Sequence, residues 1–154
     1  MPKISVNGVE LEYETRGESS GEPIVLIGGV GVQLAAWNET FLKALADNGF
    51  YVILYDNRDV GKSTKFDDWG QADIPAAFAQ ARARETVSAP YTLEDMADDA
   101  AELIAALGTE KAHFLGSSNG GAIAQTLAYR RPERVKSLIS VMATSARRGL
   151  PRPE

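Results

Sequence analysis

Ser118 lies at the centre of the run Gly116-Ser117-Ser118-Asn119-Gly120, with a glycine two positions to either side. A serine hydroxyl attacks a carbonyl only when a base takes its proton and donors receive the charge that develops on the carbonyl oxygen. A sharp turn from a strand into a helix lifts such a side chain above a sheet, and it requires small residues because strand and helix approach closely. Gly116 and Gly120 meet this requirement, and Gly121 leaves further room at the helix start. The pattern predicts that Ser118 is a catalytic nucleophile for acyl transfer.

Two backbone N–H groups are the candidate donors for the developing oxyanion. One donor at a turn of this kind is the residue after the nucleophile, here Asn119, and the other comes from the loop after the third strand. That loop is Gly28-Gly29-Val30-Gly31, whose glycines let the backbone approach a ligand closely. We assign the second donor to Val30. The alternative for this loop is a tight connection without a ligand, and the alternative for Ser118 is a plain strand-to-helix turn.

Two patterns resemble nucleotide-binding motifs without completing them. The dinucleotide fingerprint needs glycine at its first, third and sixth positions, and counting from Gly116 the third position is Ser118. The segment Gly61-Lys62-Ser63 contains the core of a phosphate-binding loop. The complete motif needs a glycine five positions before Gly61, and that position is Asp56. We therefore reject nucleotide binding for both segments.

Acidic residues are concentrated near the start of one predicted helix. The residues concerned are Glu94, Asp95, Asp98, Asp99 and Glu102. Negative side chains in the first turns of a helix complement its dipole, and no histidine lies among them. We interpret the cluster as a solvated helix face and predict no metal site.

The elements that must position these residues alternate after an opening hairpin. Asn7-Gly8, between two strands of alternating polarity, is typical of a type I′ turn. The predicted strands cover residues 4–6, 9–13, 23–27, 50–55, 111–115 and 135–142. The predicted helices cover about 35–48, 76–84, 93–107 and 120–130, the third beginning with a capping box of Thr92 and Asp95. This order predicts an α/β fold: a mostly parallel sheet with helices on both faces and an antiparallel N-terminal hairpin.

The composition is that of an ordinary globular domain. The 154 residues, 44% hydrophobic and 24% charged, suggest one domain. The net charge of -5, with both signs mixed along the chain, offers no basic surface for nucleic acid. The chain has no cysteine, which excludes disulfides and fits a reducing cytoplasm. We see no signal peptide and no apolar run long enough for a bilayer, so we expect a cytoplasmic protein without membrane partners.

Together these motifs resemble the α/β-hydrolase family over nearly the whole chain. Residues 56–63, Asp-Asn-Arg-Asp-Val-Gly-Lys-Ser, resemble the family's Asp-x-Arg-x-x-Gly-x-Ser turn after the fourth strand. Residues 91–99 look like its next helix start, and residues 132–135 resemble its link to the sixth strand. The first two segments look especially like the branch that contains aclacinomycin methylesterase. The resemblance implies hydrolysis of small-molecule carboxylic esters through an acyl-enzyme on Ser118, with no metal or organic cofactor.

The same resemblance implies parts that this sequence does not contain. In the family, a cap, two further strands, an acidic residue and then a histidine follow the sixth strand. The single histidine, His113, precedes Ser118 by five residues on an extended strand, roughly 10 Å or more away, so we interpret it as structural. No aspartate follows Met142. We expect residues 1–154 to be a single incomplete core domain with strands 1–6 of the usual eight, in which residues 145–154 begin the linker to the cap.

Two functional hypotheses remain open on the sequence. The first is the N-terminal fragment of a serine esterase, inactive alone and completed by its C-terminal half or by a second chain. The second is a natural short protein that uses the half-fold as a non-catalytic binding or oligomerisation module, because an uncovered final strand invites pairing. The sequence names neither the acyl nor the alcohol group. Trp37 and Phe66 are interpreted as core residues rather than pocket residues.

Overall fold

A mixed six-stranded sheet forms the centre of the fold. A computed structural model describes residues 1–144. Its strands are β1 (Lys3–Val6), β2 (Val9–Arg16), β3 (Glu22–Ile27), β4 (Phe50–Tyr55), β5 (Ala112–Ser117) and β6 (Val135–Val141). They lie in the order β1-β2-β4-β3-β5-β6. β2 is antiparallel to both of its neighbours, β1 and β4, and the remaining pairs, β4-β3, β3-β5 and β5-β6, are parallel. Asn7 and Gly8 have φ values of 45° and 77°, as the predicted type I′ turn requires.

Helices cover both faces of this sheet. The α-helices within residues 1–144 are α1 (Glu39–Asp47), α2 (Ile74–Ala83), α3 (Leu93–Ala106) and α4 (Asn119–Arg130). One face packs against α3 and α4 in a core that includes Phe114 and Ile104. The other face packs against α1 around Leu26 and Leu42. The predicted arrangement, a mostly parallel sheet between helices with an antiparallel hairpin, is confirmed.

The first helix begins later than the apolar spacing predicts. Leu34–Ala36 form a separate turn of 3-10 helix, and α1 begins after Asn38, whose Oδ1 accepts a hydrogen bond from the Phe41 N–H at 3.1 Å. A capping oxygen satisfies a donor that the first turn leaves free, so the cap decides where the helix starts. Phe41 is 37% exposed and its ring stacks on Trp37, which packs against the α1-side core as predicted.

α3 begins with the predicted capping box. Thr92 Oγ1 accepts a hydrogen bond from the Asp95 N–H at 3.2 Å, and Asp95 Oδ2 accepts one from the Thr92 N–H at 2.8 Å. The hydrogen bond from the Thr92 backbone, followed by that from its hydroxyl, holds the pKa of Asp95 below its usual range, because both donors favour the charged carboxylate.

Replacing Thr92 with alanine is expected to lower the free energy of unfolding by about 1 kcal/mol, because the Asp95 N–H loses its acceptor. Urea unfolding followed by circular dichroism measures the change. A group whose folded pKa is lowered stabilises the fold above its unfolded pKa, so the difference between variant and parent should shrink as the pH falls below 3.8. Thr109→Ala, beyond the other end of α3, is the matched control, and an equal loss there would contradict the assignment.

β6 forms one edge of the sheet. It pairs with β5 on one side, and no strand within residues 1–144 pairs with its other side. Leu138, Ile139 and Val141 are exposed on it, so the predicted uncovered edge is confirmed. Residues 145–154, predicted to begin a linker to the cap, lie outside the described residues.

Candidate active site

Ser118 lies on the turn between β5 and α4, at the carboxyl edge of the sheet. Its backbone has φ 55° and ψ −120°, a region that residues other than glycine rarely occupy. The Ser118 N–H donates to the Val141 carbonyl at 2.9 Å, and its carbonyl accepts from the N–H groups of Gly121 at 2.9 Å and Ala122 at 3.2 Å. These bonds hold the strained turn on both sides. Ser118 is exposed, so the turn presents its hydroxyl at the surface on a fixed backbone.

The predicted elbow glycines lie where strand, helix and neighbouring loop touch. A Cβ on Gly116 would overlap the carbonyl oxygen of Gly120, and a Cβ on Gly120 would overlap the carbonyl oxygen of Ile27. A Cβ on Gly121 would lie 2.5 Å from the Cβ of Ala143. Each position therefore needs glycine for the packing that places Ser118 above the sheet.

The two candidate oxyanion donors line one cavity of about 290 Å³, which we call the elbow cavity. It is bounded by residues 29–31 and 57–60 together with Tyr91, Met96 and Asn119. Within residues 1–144, neither the Val30 N–H nor the Asn119 N–H donates a hydrogen bond. Asn119 is the first residue of α4, where N–H groups have no partner within the helix.

The glycine loop of the elbow cavity also lies close to the serine. A Cβ built on Gly29 would lie 3.3 Å from Ser118 Cβ and 3.8 Å from Ser118 Oγ. The structure therefore brings Ser118, Asn119 and the loop of Val30 together at one edge of the sheet. The catalytic roles assigned to these three residues stay predictions.

A buried carboxylate fixes the position of this loop. Asp56 Oδ1 accepts a hydrogen bond from the Leu34 N–H at 2.7 Å, and Oδ2 accepts one from the Lys62 N–H at 3.3 Å. Burial raises the pKa of Asp56, an effect that the two backbone donors oppose. Asn57 Nδ2 donates to the Gly28 carbonyl at 3.2 Å. The turn after β4 is thus bonded to the start and the end of the loop that carries Val30.

A buried ion pair that sequence reasoning missed supports the same turn. Arg58 Nε donates to Asp99 Oδ2 at 2.6 Å and its second nitrogen donates to Oδ1 at 2.8 Å. Asn7 Nδ2 also donates to Asp99 Oδ1, at 2.9 Å. The hydrogen bonds to Asp99 raise the pKa of Arg58 against the opposing effect of its burial. The pair joins the turn after β4, the hairpin and α3.

The interpretation of the acidic cluster as a solvated helix face is wrong for Asp99. Asp99 is only 1% exposed, and Arg58 is 7% exposed. The missed signal is the spacing: Asp99 follows Met96 by three residues and precedes Leu103 by four, which places it on the apolar side of α3. Within residues 1–144, no three histidine, cysteine, aspartate or glutamate side chains come together as a metal site requires.

Two neighbouring aromatic rings pack against the Arg58 guanidinium. Its central carbon lies 5.8 Å from the Phe66 ring centre and 5.7 Å from that of Tyr91. The Tyr91 hydroxyl donates to Asp59 Oδ2 at 2.7 Å. Burial, followed by this hydrogen bond, raises the pKa of Tyr91 to about 12, so the phenol is protonated at neutral pH. Phe66 packs against the core as predicted, and it also lines a cavity, the role to which the prediction preferred core packing.

His113 lies at the opposite end of the sheet from Ser118. Its Nδ1 is 2.7 Å from Ser137 Oγ and its Nε2 is 3.1 Å from Glu22 Oε1. Glu22 is the first residue of β3, whereas Ser118 follows the last residue of β5. The structure therefore keeps this imidazole away from the serine, as the strand length predicts.

The fold and the elbow define the class of the protein. Residues 22–152 match the alpha/beta hydrolase fold family, and the chain belongs to that family.

No helix within residues 1–144 combines the length and apolar character that crossing a bilayer demands.

Similar proteins include named hydrolases. The putative carbamate hydrolase RutD of Variovorax paradoxus is 35% identical over 135 residues, which are 88% of this chain and 43% of that protein. Rhodomycin D methylesterase DauP of a Streptomyces species is 33% identical over 135 residues, which are 88% of this chain and 39% of that protein. The enol-lactonase crystal structure from Burkholderia xenovorans gives a TM-score of 0.67 at 31% identity, covering 87% of this chain and 44% of that one. The chain spans about two fifths of the length of the curated relatives it matches.

Proposed function

We propose that this chain carries the nucleophile and the oxyanion hole of a cytoplasmic serine hydrolase that acts on small-molecule carboxylic esters. One observation carries the proposal: an exposed serine on a strained backbone, with φ of 55°, is followed by Asn119, which lines a cavity together with Val30. The N–H groups of these two residues donate no hydrogen bond within residues 1–144. Two similar proteins are named a methylesterase and an enol-lactonase, and esters and lactones share the same reacting group. The proposed cytoplasmic location is supported by the lack of cysteine, because proteins of reducing compartments rarely use disulfides.

In the proposed reaction, Ser118 Oγ attacks the carbonyl carbon of the ester while a base takes the hydroxyl proton. The carbonyl oxygen becomes an oxyanion, which accepts hydrogen bonds from the N–H groups of Val30 and Asn119. The amino end of α4 adds its dipole to this stabilisation. Collapse expels the alcohol, which receives the proton from the base, and leaves the acyl group on Ser118. Water then gives a proton to the base and attacks the acyl-enzyme, and the same two N–H groups stabilise the second oxyanion. Collapse releases the carboxylic acid, and the base returns the proton to Ser118 Oγ.

The base and the acid that orients it come, we propose, from residues outside 1–154. The only histidine of the chain, His113, is bonded at the far end of the sheet. The family order places the acid and the histidine after the sixth strand. A C-terminal half or a second chain pairing with the free edge of β6 would supply them. Residues 1–154 then form an incomplete core domain that does not turn over substrate alone.

Dissolved imidazole can replace a missing histidine as the base, and this gives the test. We expect a small alkyl fluorophosphonate to label the 154-residue chain slowly alone and at least about tenfold faster with imidazole, because general-base help of this kind is large. Mass spectrometry should locate the label at Ser118. Ser118→Ala should abolish labelling, whereas Ser117→Ala, the neighbouring serine, should retain it. Absence of label at Ser118 at every imidazole concentration would overturn the proposal.

Turnover of a p-nitrophenyl ester tests the incomplete-site part separately. The chain without imidazole should hydrolyse the ester no faster than its Ser118→Ala variant. Faster hydrolysis by the parent chain would show that a base lies within residues 1–154, and would contradict that part while leaving the nucleophile assignment intact.

A second candidate function rests on the exposed apolar edge of β6. A non-catalytic module would pair through Leu138, Ile139 and Val141, since open sheet edges template pairing. Under this alternative the chain is a dimer by analytical ultracentrifugation, Ile139→Lys makes it monomeric, and Ser118 takes no label even with imidazole. Labelling of Ser118 would favour the hydrolase over the non-catalytic module, whether the chain is a monomer or a dimer.

A further inference from the structure

A second, larger cavity adjoins the elbow cavity. It measures about 840 Å³ and lies between residues 65–77 and residues 87–91. Asp59 and Tyr91 line both cavities, so the two have a common wall. Its volume is that of sites for organic ligands of moderate size. The larger cavity, which we call the aromatic cavity, therefore lies directly beside the elbow cavity.

Its lining is rich in rings and branched apolar side chains that the fold leaves unburied. Trp69 is 59% exposed, and Ile74 and Val87 are exposed as well. Large apolar side chains grouped on a concave surface are typical of a ligand site. Phe66 and Tyr91 complete the wall with ring centres 5.1 Å apart. Because Arg58 contacts both of these rings from its buried ion pair, that wall is held in place.

The charges at the rim exclude one class of ligand. Three carboxylates line the cavity, those of Asp59, Asp67 and Asp73, with Lys65 as the cation among the described lining residues. Asp59 and Asp73 accept hydrogen bonds from neighbouring groups. The Asp67 carboxylate accepts none within residues 1–144, although the backbone carbonyl of Asp67 accepts one from the Gly70 N–H. An excess of negative charge raises the free energy of a bound anion and leaves a neutral ligand almost unaffected.

We infer that the aromatic cavity binds the ring-bearing acyl part of the ester, and that the substrates are aromatic esters without negative charge. The inference rests on the proposed function of Ser118. Hydrolysis consumes the ester and one water and gives the carboxylate, the alcohol and a proton. The product therefore acquires the charge that the rim of Asp59, Asp67 and Asp73 disfavours, which promotes its release.

Binding of methyl 2-naphthoate and of the 2-naphthoate anion to the 154-residue chain tests this inference without needing turnover. Equilibrium dialysis should show the ester binding at least about tenfold more tightly than the anion. Trp69→Ala should weaken ester binding about tenfold, since a ring in the wall is lost. The matched control is Phe78→Ala, an exposed aromatic side chain of α2 outside the cavity, which should leave ester binding within about twofold. Equal effects of the two variants would overturn the inference.

The rim charge has its own matched pair. Asp67→Asn should tighten binding of the anion about threefold, whereas Asp68→Asn, the next residue and not part of the lining, should leave it unchanged. An anion that binds as well as the ester, or that ignores Asp67→Asn, would contradict the exclusion of negative charge.

Failure of this inference can be told apart from failure of the proposed function. Trp69→Ala should still be labelled at Ser118 by the small alkyl fluorophosphonate in imidazole, because that probe carries no ring. Labelling of Ser118 without preference for aromatic esters would retain the nucleophile and remove the aromatic cavity. Aromatic ester binding without labelling would retain the cavity as a binding site and remove the nucleophile.

Discussion

Gly120→Ala is expected to lower the free energy of unfolding by about 4 kcal/mol, an exceptionally large loss for one added methyl group, because that group meets backbone atoms in the core. A Cβ at this position would overlap the carbonyl oxygen of Ile27 and lie 2.7 Å from that of Gly28. Both are backbone atoms at the end of β3, a strand paired on both sides, so neither can move aside cheaply. The conflict separates α4 from the sheet and displaces Ser118 with it.

The measurement is urea unfolding of parent and variant, with soluble yield recorded where the variant does not fold. Gly108→Ala is the matched control, since Gly108 has φ of 76° but no atom within 4 Å of its added Cβ. That variant carries only the backbone strain of a left-handed position, about 1 kcal/mol. Similar losses for the two variants would show that close packing does not require glycine at the elbow.

Asp99→Asn is expected to cost about 4 kcal/mol, because it leaves the Arg58 guanidinium charged and buried without its partner. The amide is nearly isosteric, so the loss reports charge rather than volume. Asp98→Asn is the control on the same helix. Asp98 pairs with Arg130 and Arg131 at a partly exposed position, where ion pairs contribute up to about 1 kcal/mol.

A double variant separates the value of the pair from the penalty of breaking it. Arg58→Met combined with Asp99→Leu removes both charges and should recover most of the stability that Asp99→Asn loses, because buried pairs can be replaced by apolar side chains. Thermal unfolding of the parent chain, Arg58→Met, Asp99→Leu and the double variant gives the coupling energy. A double variant no more stable than Asp99→Asn would mean that the hydrogen bonds of this site, including that from Asn7, matter more than the uncompensated charge.

The elbow could be predicted from the sequence because its determinants are local. Five consecutive residues, a preceding apolar strand and a following helix define Gly116 to Gly120, and no distant partner is needed to read them. The hairpin at Asn7 and the capping box at Thr92 are local in the same sense. The start of α1 was missed because apolar spacing continues through Ala35, whereas the structural signal is the single cap at Asn38.

The support of the site could not be predicted, because it depends on pairs that are distant in sequence. Arg58 and Asp99 are 41 residues apart, and Asn7 reaches Asp99 across 92. Helical spacing places Asp99 on the inward face of α3, but only the fold reveals that the Arg58 guanidinium meets it there. The aromatic cavity is of the same kind, since residues 65–77 and 87–91 create it only by lying against each other.

The hydrogen bond from the Ser118 N–H to the Val141 carbonyl makes the last residue of β6 a structural part of the elbow. A strand added at the free edge of β6 would restrict the same backbone that fixes the serine. A reduction of backbone motion in β6 therefore also reduces the motion of Ser118. If Ser118 is acylated as proposed, a strand paired there would act on the activation entropy of that step as well as on the stability of the fold, even without contributing a catalytic side chain.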